Sequence, residues 1–153
     1  RAMPTDRWLL TAAIGYVDAH FSRFPNGGGI GIDYDGNRLP LTPKYNLDLS
    51  AQYSLPLGHE ERLSLRGEYV RVGNMFTDPS EARPTYFVPG HQLVNASLTL
   101  HPGDDRWLVS LWGRNLANLR YFIDARNDVL FHADTVIYGP PRTIGATISL
   151  RYR

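Results

Sequence analysis

The feature that most constrains the fold is an alternation of apolar and polar residues with a period of two, clearest over residues 44–55. One side of this segment carries only apolar or aromatic residues: Tyr45, Leu47, Leu49, Ala51, Tyr53 and Leu55. The other side is polar: Lys44, Asn46, Asp48, Ser50, Gln52 and Ser54. Because successive side chains of a β-strand point to opposite faces, the segment is predicted to be a strand with one apolar and one polar face.

Five further segments alternate in the same way, at residues 8–21, 62–76, 91–100, 107–114 and 144–152. In the first of them we expect Leu9, Ala13, Val17, Ala19 and Phe21 on the apolar face. The phase slips around Val70 and Arg71, which predicts a β-bulge there. The only helical candidate is residues 115–121, one or two turns at most. Nine Tyr and six Phe, with Gly and Pro between the apolar stretches, are typical of an all-β protein.

The connections between these segments alternate in length. Two are tight, "PLGHEE" and "HPGDD", and three are long, at residues 24–43, 77–90 and 124–141. The sequence therefore predicts an antiparallel up-and-down meander of about six strands, with short turns at one end and long loops at the other.

Three observations indicate that the apolar face meets lipid. The polar faces carry Asn, Ser, Gln and Thr instead of dense Lys and Glu, the loops are asymmetric, and aromatic residues lie near strand ends: Tyr45, Tyr53, Tyr69, Trp107 and Tyr152. Six strands are fewer than the roughly eight of the smallest membrane barrels, so we expect a partial transmembrane β-barrel. Two alternatives stay open: a small autonomous outer-membrane β-barrel, and a soluble lipocalin-like ligand-binding barrel whose apolar face lines a cavity.

Several functions are disfavoured by the residues themselves. A net charge of +1 without a basic run disfavours nucleic acid, and there is no cysteine. The Gly-rich stretch from Asn26 to Gly36 lacks the following helix of a phosphate loop. Asp33 and Asp35 resemble the start of a calcium loop, but its twelfth position is Lys44 and not Glu. No catalytic, cofactor-binding or metal-binding residues are predicted, and we expect no enzyme and no cofactor.

Four segments, in this order, resemble the C-terminal end of the barrel of TonB-dependent outer-membrane receptors: "GNRLPLTPKYNLDLSAQYSLPL", "HQLVNASLTL", "WLVSLWGRNLANLRYF" and "YGPPRTIGATISLRYR". The likeness covers nearly the whole chain and implies that residues 1–153 are the C-terminal part of such a barrel, without its plug domain. Family members usually end on an aromatic residue. Because Tyr152 is followed by Arg153, we expect one more residue beyond it, and Arg1 also looks like a cut start.

The resemblance implies a fragment of a receptor in the cell outer membrane that takes up an iron-siderophore or a similar scarce ligand. The implied partners are membrane lipid and lipopolysaccharide, the remainder of the barrel and the plug domain, TonB indirectly through the plug, and a ferric siderophore. The chain would supply barrel wall and extracellular loops. Aromatic and histidine residues of the long loops are candidate ligand contacts: Tyr34, Tyr86, Phe87, Phe122, Phe131, His132 and Tyr138.

Overall fold

A computed structural model describes residues 1–58, 60–103, 106–128 and 133–151. The described residues form strands and turns, and residues 115–121, the closest helical candidate in the sequence, are not helical. No helix in this part of the chain is long and apolar enough to cross a membrane. The strands are β1 (Ala2–Thr5), β2 (Trp8–Tyr16), β3 (Tyr45–Pro56), β4 (Arg62–Val72), β5 (Met75–Phe76), β6 (Phe87–Val88), β7 (His91–His101), β8 (Trp107–Arg114), β9 (Phe122–Asp128), β10 (Ala133–Tyr138) and β11 (Thr143–Leu150).

Seven strands form one antiparallel sheet in the order β1-β2-β3-β4-β7-β8-β11. Neighbours in the sheet follow one another along the chain, apart from two small hairpins, β5–β6 and β9–β10, that are inserted into long connections. The sheet is open, with β1 and β11 at its edges. This confirms the predicted up-and-down meander of a partial barrel, and adds to it β1 and the two hairpins.

The connections divide the sheet into two unlike ends. At the turn end, residues 6–7, 57–61 and 102–106 join neighbouring strands. At the loop end lie three long connections, which we call loop 1 (residues 17–44), loop 2 (residues 73–90) and loop 3 (residues 115–142). The predicted alternation of short turns and long loops is therefore correct.

The apolar face of the sheet is the more exposed one. Leu65 and Ile148 on this face keep 54% and 69% of their surface exposed, whereas Ser50 and Ser64 on the polar face keep 7% and 5%. This is the pattern of a sheet that curls around its polar face. A lipocalin-like barrel would instead gather its apolar face around an interior cavity.

The predicted sidedness of β2 is wrong. Leu9 pairs with Gln52, and Ala13 pairs with Asp48, so both lie on the polar face. The strand ends at Tyr16, before Val17. The apolar face takes alternate residues instead: Trp8, Leu10, Ala12, Ile14 and Tyr16. Both faces of this strand are largely apolar, so the alternation alone could not show which face belongs with that of β3.

The predicted bulge in β4 is also wrong. The strand stays in continuous register with both neighbours through Val72. It ends there, four residues before the predicted end at residue 76. The phase slip in the sequence arises because Val70 occupies the polar face while Arg71 occupies the apolar face, opposite Leu47. The change is one of side-chain chemistry near the loop end, without an inserted residue. Tyr152, at the predicted end of the last strand, lies outside the described residues.

Candidate functional site

Loop 1 is held by its own side chains. The ring of Phe24 lies between Phe21, at 4.9 Å between centroids, and Tyr34, at 5.8 Å. Asp33 accepts a hydrogen bond from the backbone N–H of Asn26 at 2.8 Å, and the Asp35 carboxylate accepts one from the N–H of Phe24. The two acidic residues of the Gly-rich stretch thus fix the loop backbone. No group of three or more His, Asp or Glu side chains within the described ranges is placed to hold a metal ion.

Loop 2 has a small core built on its hairpin. Phe76 and Val88 are buried, and the rings of Phe76 and Phe87 lie 5.4 Å apart. The Arg83 guanidinium lies 3.5 Å from the centre of the Phe87 ring, and that of Arg38, from loop 1, lies 5.6 Å from that of Phe76. Contact with aromatic faces lets the two guanidinium groups cover this core.

Loop 1 is fastened to loop 2 by four hydrogen bonds, one of which runs from the Arg38 guanidinium to Asn74 Oδ1 at 3.2 Å. The Arg38 N–H donates to Glu81 Oε1 at 2.6 Å, and the Asn37 side-chain amide donates to the Pro79 carbonyl at 2.7 Å. The Leu41 N–H donates to the Phe76 carbonyl at 2.7 Å. Three of these hydrogen bonds involve a backbone N–H or C=O group, those of Asn37, Arg38 and Leu41. Moving one loop relative to the other would break them together, at a cost in free energy.

Loop 2 is fastened in turn to loop 3. The Thr77 hydroxyl donates to the carbonyl of Ala125, a residue buried on β9. The Thr85 hydroxyl donates to Asp134 Oδ2, on β10, at 3.1 Å. The three loops therefore form a single assembly over the loop end of the sheet.

A cavity of about 310 Å³ lies where the three loops meet, and we call it the loop cavity. It is lined by Leu41 of loop 1, by Thr77, Asp78 and Tyr86 of loop 2, and by Asp124 and Arg126 of loop 3. Its volume lies at the lower end of the range of small-molecule sites.

The chemistry of the loop cavity follows from strand alternation. Asp124 and Arg126 stand two residues apart on β9, so they share a face, while Ala125 between them points away and is buried. The two side chains form an ion pair, with Asp124 mostly covered and Arg126 largely exposed. The Asp78 carboxylate accepts the Ser80 N–H at 2.9 Å. The lining thus offers a guanidinium, carboxylates, a phenol and a hydroxyl to a polar ligand.

Of the seven loop residues singled out from the sequence, the structure places Tyr86 in the loop cavity. Tyr34 and Phe87 pack inside loops 1 and 2. Phe122 and Tyr138 contact each other, with ring centres 5.7 Å apart, near the base of loop 3. Phe131 and His132 lie outside the described residues. The other lining residues were missed, because they come from positions far apart in sequence that no motif connects.

The base of loop 3 is organised by Asn115, which is 3% exposed. Its side-chain amide donates to the carbonyls of Leu119 and Pro140 at 2.9 and 3.1 Å, and its Oδ1 accepts the Leu119 N–H at 2.9 Å. Its φ of 48° is left-handed, a conformation that Asn adopts more readily than most residues. The segment "GRNLANLRY" thus contains the residue that closes both ends of loop 3.

A polar network runs from this residue into the wall. Asn95 Oδ1 accepts the Asn115 N–H at 3.0 Å, and the Asn95 amide donates to Glu68 at 2.8 Å. Glu68 is paired with Arg66 at 3.3 Å. A second cavity, of about 270 Å³, lies on the polar face of the sheet. It is lined by Arg66, Glu68, Asn95, Ala96, Ser97, Trp112, Gly113 and Arg114.

Comparison with known proteins agrees with this architecture. Residues 3–116 match a family model described as TonB dependent receptor-like, beta-barrel. The crystal structure of BauA, the ferric preacinetobactin receptor from Acinetobacter baumannii, superimposes with a TM-score of 0.68 at 22% identity, over 95% of this chain and 20% of that receptor. This chain therefore spans about a fifth of the length of that protein.

At 22% identity the superposition shows a common fold, while the family match covers most of the chain. Both are to receptors and neither is to an enzyme, which confirms the expectation that the chain is not an enzyme. The resemblance drawn from the four sequence segments is likewise confirmed. The chain belongs to the family of TonB-dependent receptor-like β-barrels.

Proposed function

We propose that residues 1–153 form the C-terminal part of the barrel of an outer-membrane TonB-dependent receptor that takes up a ferric siderophore or a similar scarce ligand. The observation that carries this proposal is the loop cavity, which three interlocked loops build at one end of a receptor-family sheet. A cavity that needs all three loops suits selective capture, because a ligand there contacts every loop at once. In this proposal the loops face the exterior of the cell.

The dimensions of the sheet support its placement in the outer membrane. Strands β2, β3, β4 and β7 have 9, 12, 11 and 11 residues, and a tilted membrane strand needs about 9–11. On β3, Tyr45 and Tyr53 lie on the apolar face eight residues apart, which is about 26 Å along the strand. At a tilt near 40° this spans about 20 Å of membrane thickness, close to the apolar band of about 25 Å.

The open edges and the two faces of the sheet suit the other proposed partners. The open edges at β1 and β11 would pair with the remainder of the barrel, since unpaired backbone groups are not tolerated in lipid. The polar face, with its cavity beside Arg66 and Arg114, would border the lumen and contact the plug domain. TonB would act indirectly through that plug. The apolar face would meet membrane lipid and lipopolysaccharide.

The proposal is tested with the complete receptor that contains this segment. Cells expressing it are given radioactive iron bound to a panel of catecholate and hydroxamate siderophores, and uptake and binding are measured. We expect one class of ferric complex to be taken up. Arg126→Gln should weaken its binding about tenfold, as expected for a lost charged hydrogen bond that is partly exposed.

Arg23→Gln is the matched control, because it removes an exposed loop charge that does not line the loop cavity. Its binding should stay within about twofold of the wild type, far below the change expected of one lost charged hydrogen bond. Uptake of none of the complexes by a receptor that is present in the outer membrane would contradict the proposed ligand class. Equal losses of binding affinity in the two variants would show that the ligand does not bind in the loop cavity.

A further inference from the structure

The apolar face of the sheet carries a single charged residue in the described parts of its six long strands. Register places Arg71 on this face, between Leu47 of β3 and Gln92 of β7. All other positions of this face in β2, β3, β4, β7, β8 and β11 are apolar, glycine, tyrosine or Gln92 itself. The one cation and the one amide of the face are therefore direct cross-strand neighbours.

Tyrosines surround this pair. The Arg71 guanidinium lies 5.7 Å from the centre of the Tyr45 ring, and the Tyr69 hydroxyl donates to Gln92 Oε1 at 2.9 Å. Tyr16 stands opposite Tyr45 on the neighbouring strand. We call these five residues the interfacial patch: Tyr16, Tyr45, Tyr69, Arg71 and Gln92.

The interfacial patch offers hydrogen-bond donors and contains no negatively charged residue. Arg71 forms no ion pair within the described part of the chain, and its side chain is exposed. Because Gln92 Oε1 already accepts the Tyr69 hydroxyl, its amide N–H groups are left to donate. Asp18 is paired with Lys44, just before β3, at 3.1 Å. A group with several anionic oxygens complements this arrangement, and phosphate is such a group.

The level of the interfacial patch along the strands favours a lipid headgroup as the source of that phosphate. Charged residues on the lipid face of a barrel are strongly unfavourable at the midplane and nearly neutral at the interface. Arg71 is the second-last residue of β4 at the loop end, whereas Leu65 and Gly67 occupy the middle of this face. An arginine at that level meets headgroups and not acyl chains.

We propose that the interfacial patch binds the phosphate of a lipid headgroup in the outer leaflet, which seats that lipid beside the bases of loops 1 and 2. This inference rests on the membrane orientation given under the proposed function. The guanidinium and the Gln92 amide donate to phosphate oxygens, and the tyrosine rings lie along the upper acyl segment.

The test uses the complete receptor in maltoside detergent, which has no phosphate. The probes are phosphatidic acid and the diacylglycerol with the same acyl chains, and bound lipid is counted by native mass spectrometry. We expect the wild type to bind phosphatidic acid in preference to diacylglycerol. Arg71→Gln should weaken binding of phosphatidic acid about fivefold and leave diacylglycerol unchanged, as one basic residue near an anionic surface contributes about that factor.

Arg62→Gln is the matched control, because it removes the same charge from the same strand, at the turn end and on the polar face. Phosphatidic acid should bind this variant as it binds the wild type. Gel mobility before and after heating verifies that each variant forms a folded barrel. Equal binding by wild type and Arg71→Gln overturns the proposal, and so does an equal loss in Arg62→Gln.

A third arm adds inorganic phosphate in excess. If it displaces phosphatidic acid from the wild type, the site is one for the free anion and the assignment to a lipid is wrong. The outcomes also separate this proposal from the proposed function. A receptor that takes up a ferric complex but has no lipid preference at Arg71 refutes only the patch, and lipid preference without uptake refutes only the ligand class.

Discussion

Replacing Asn115 with alanine should loosen the base of loop 3, because this one side chain holds both ends of the loop. The substitution removes three hydrogen bonds, two to Leu119 and one to the Pro140 carbonyl. At about 1 kcal/mol each, they sum to about 3 kcal/mol. Leu119 is partly exposed, and water can replace part of this sum. Alanine also adopts the left-handed backbone less readily, at about 1 kcal/mol or more.

The expected net loss is therefore about 3 kcal/mol of local stability, or a factor of about 150 in the opening equilibrium of loop 3. Hydrogen–deuterium exchange on the complete receptor measures this directly, at the amide of Leu119 and the residues around it. Exchange in β3 and β4 should not change, because the hydrogen bonds of the Asn115 side chain go to Leu119 and Pro140, both in loop 3.

Asn118→Ala is the matched control for backbone strain. Asn118 also has a left-handed φ, of 53°. Among the described residues its side chain accepts a single exposed hydrogen bond, from the Arg142 N–H at 3.2 Å. Its local loss should be about 2 kcal/mol smaller than that of Asn115→Ala, the value of two hydrogen bonds. Equal exchange rates in the two variants, or wild-type exchange in Asn115→Ala, would refute the role assigned to this side chain.

Two further substitutions test the wall and the loop assembly. Gly145→Val should displace the Trp112 ring, since a Cβ at this position would lie 2.4 Å from it; we expect a changed tryptophan emission spectrum and a lower yield of folded barrel. Gly15→Val, with no atom within 4 Å of its added Cβ, should leave both readings near those of the wild type. Thr77→Val removes the hydroxyl that joins loop 2 to the carbonyl of Ala125. It should weaken ferric-complex binding several-fold, for a loss of about 1 kcal/mol, and wild-type affinity would contradict the coupling of the loops.

The sheet could be predicted where one face of a strand is polar throughout. Residues 44–55 have a single possible phase, and β3 was assigned correctly. In β2, Leu9 and Ala13 make the polar face largely apolar as well, so the orientation of the strand depends on its pairing with Gln52 and Asp48 of β3. Local alternation contains no information about such cross-strand partners.

The loop cavity could not be predicted for a similar reason. Leu41, Thr77 and Arg126 come together only because hydrogen bonds between loops place them there. Aromatic residues in loops are visible in the sequence, but most of them turn out to pack within their own loop, as Tyr34 does against Phe24. At Arg71 the sequence does show a break in the alternation. The strand register is needed to explain it, because the register places Arg71 on the apolar face, opposite Leu47.

In the proposed receptor, the apolar face of this sheet meets lipid and the polar face meets water. The chain has no cysteine, so single cysteines at Leu65 and Ser97 can carry spin labels in the complete receptor, reconstituted in a bilayer. We expect the label at position 65 to collide with oxygen dissolved in the lipid and to be shielded from a water-soluble nickel complex, and the label at position 97 to show the reverse. A label at position 65 that meets the nickel complex, with one at position 97 that meets oxygen, would contradict the account.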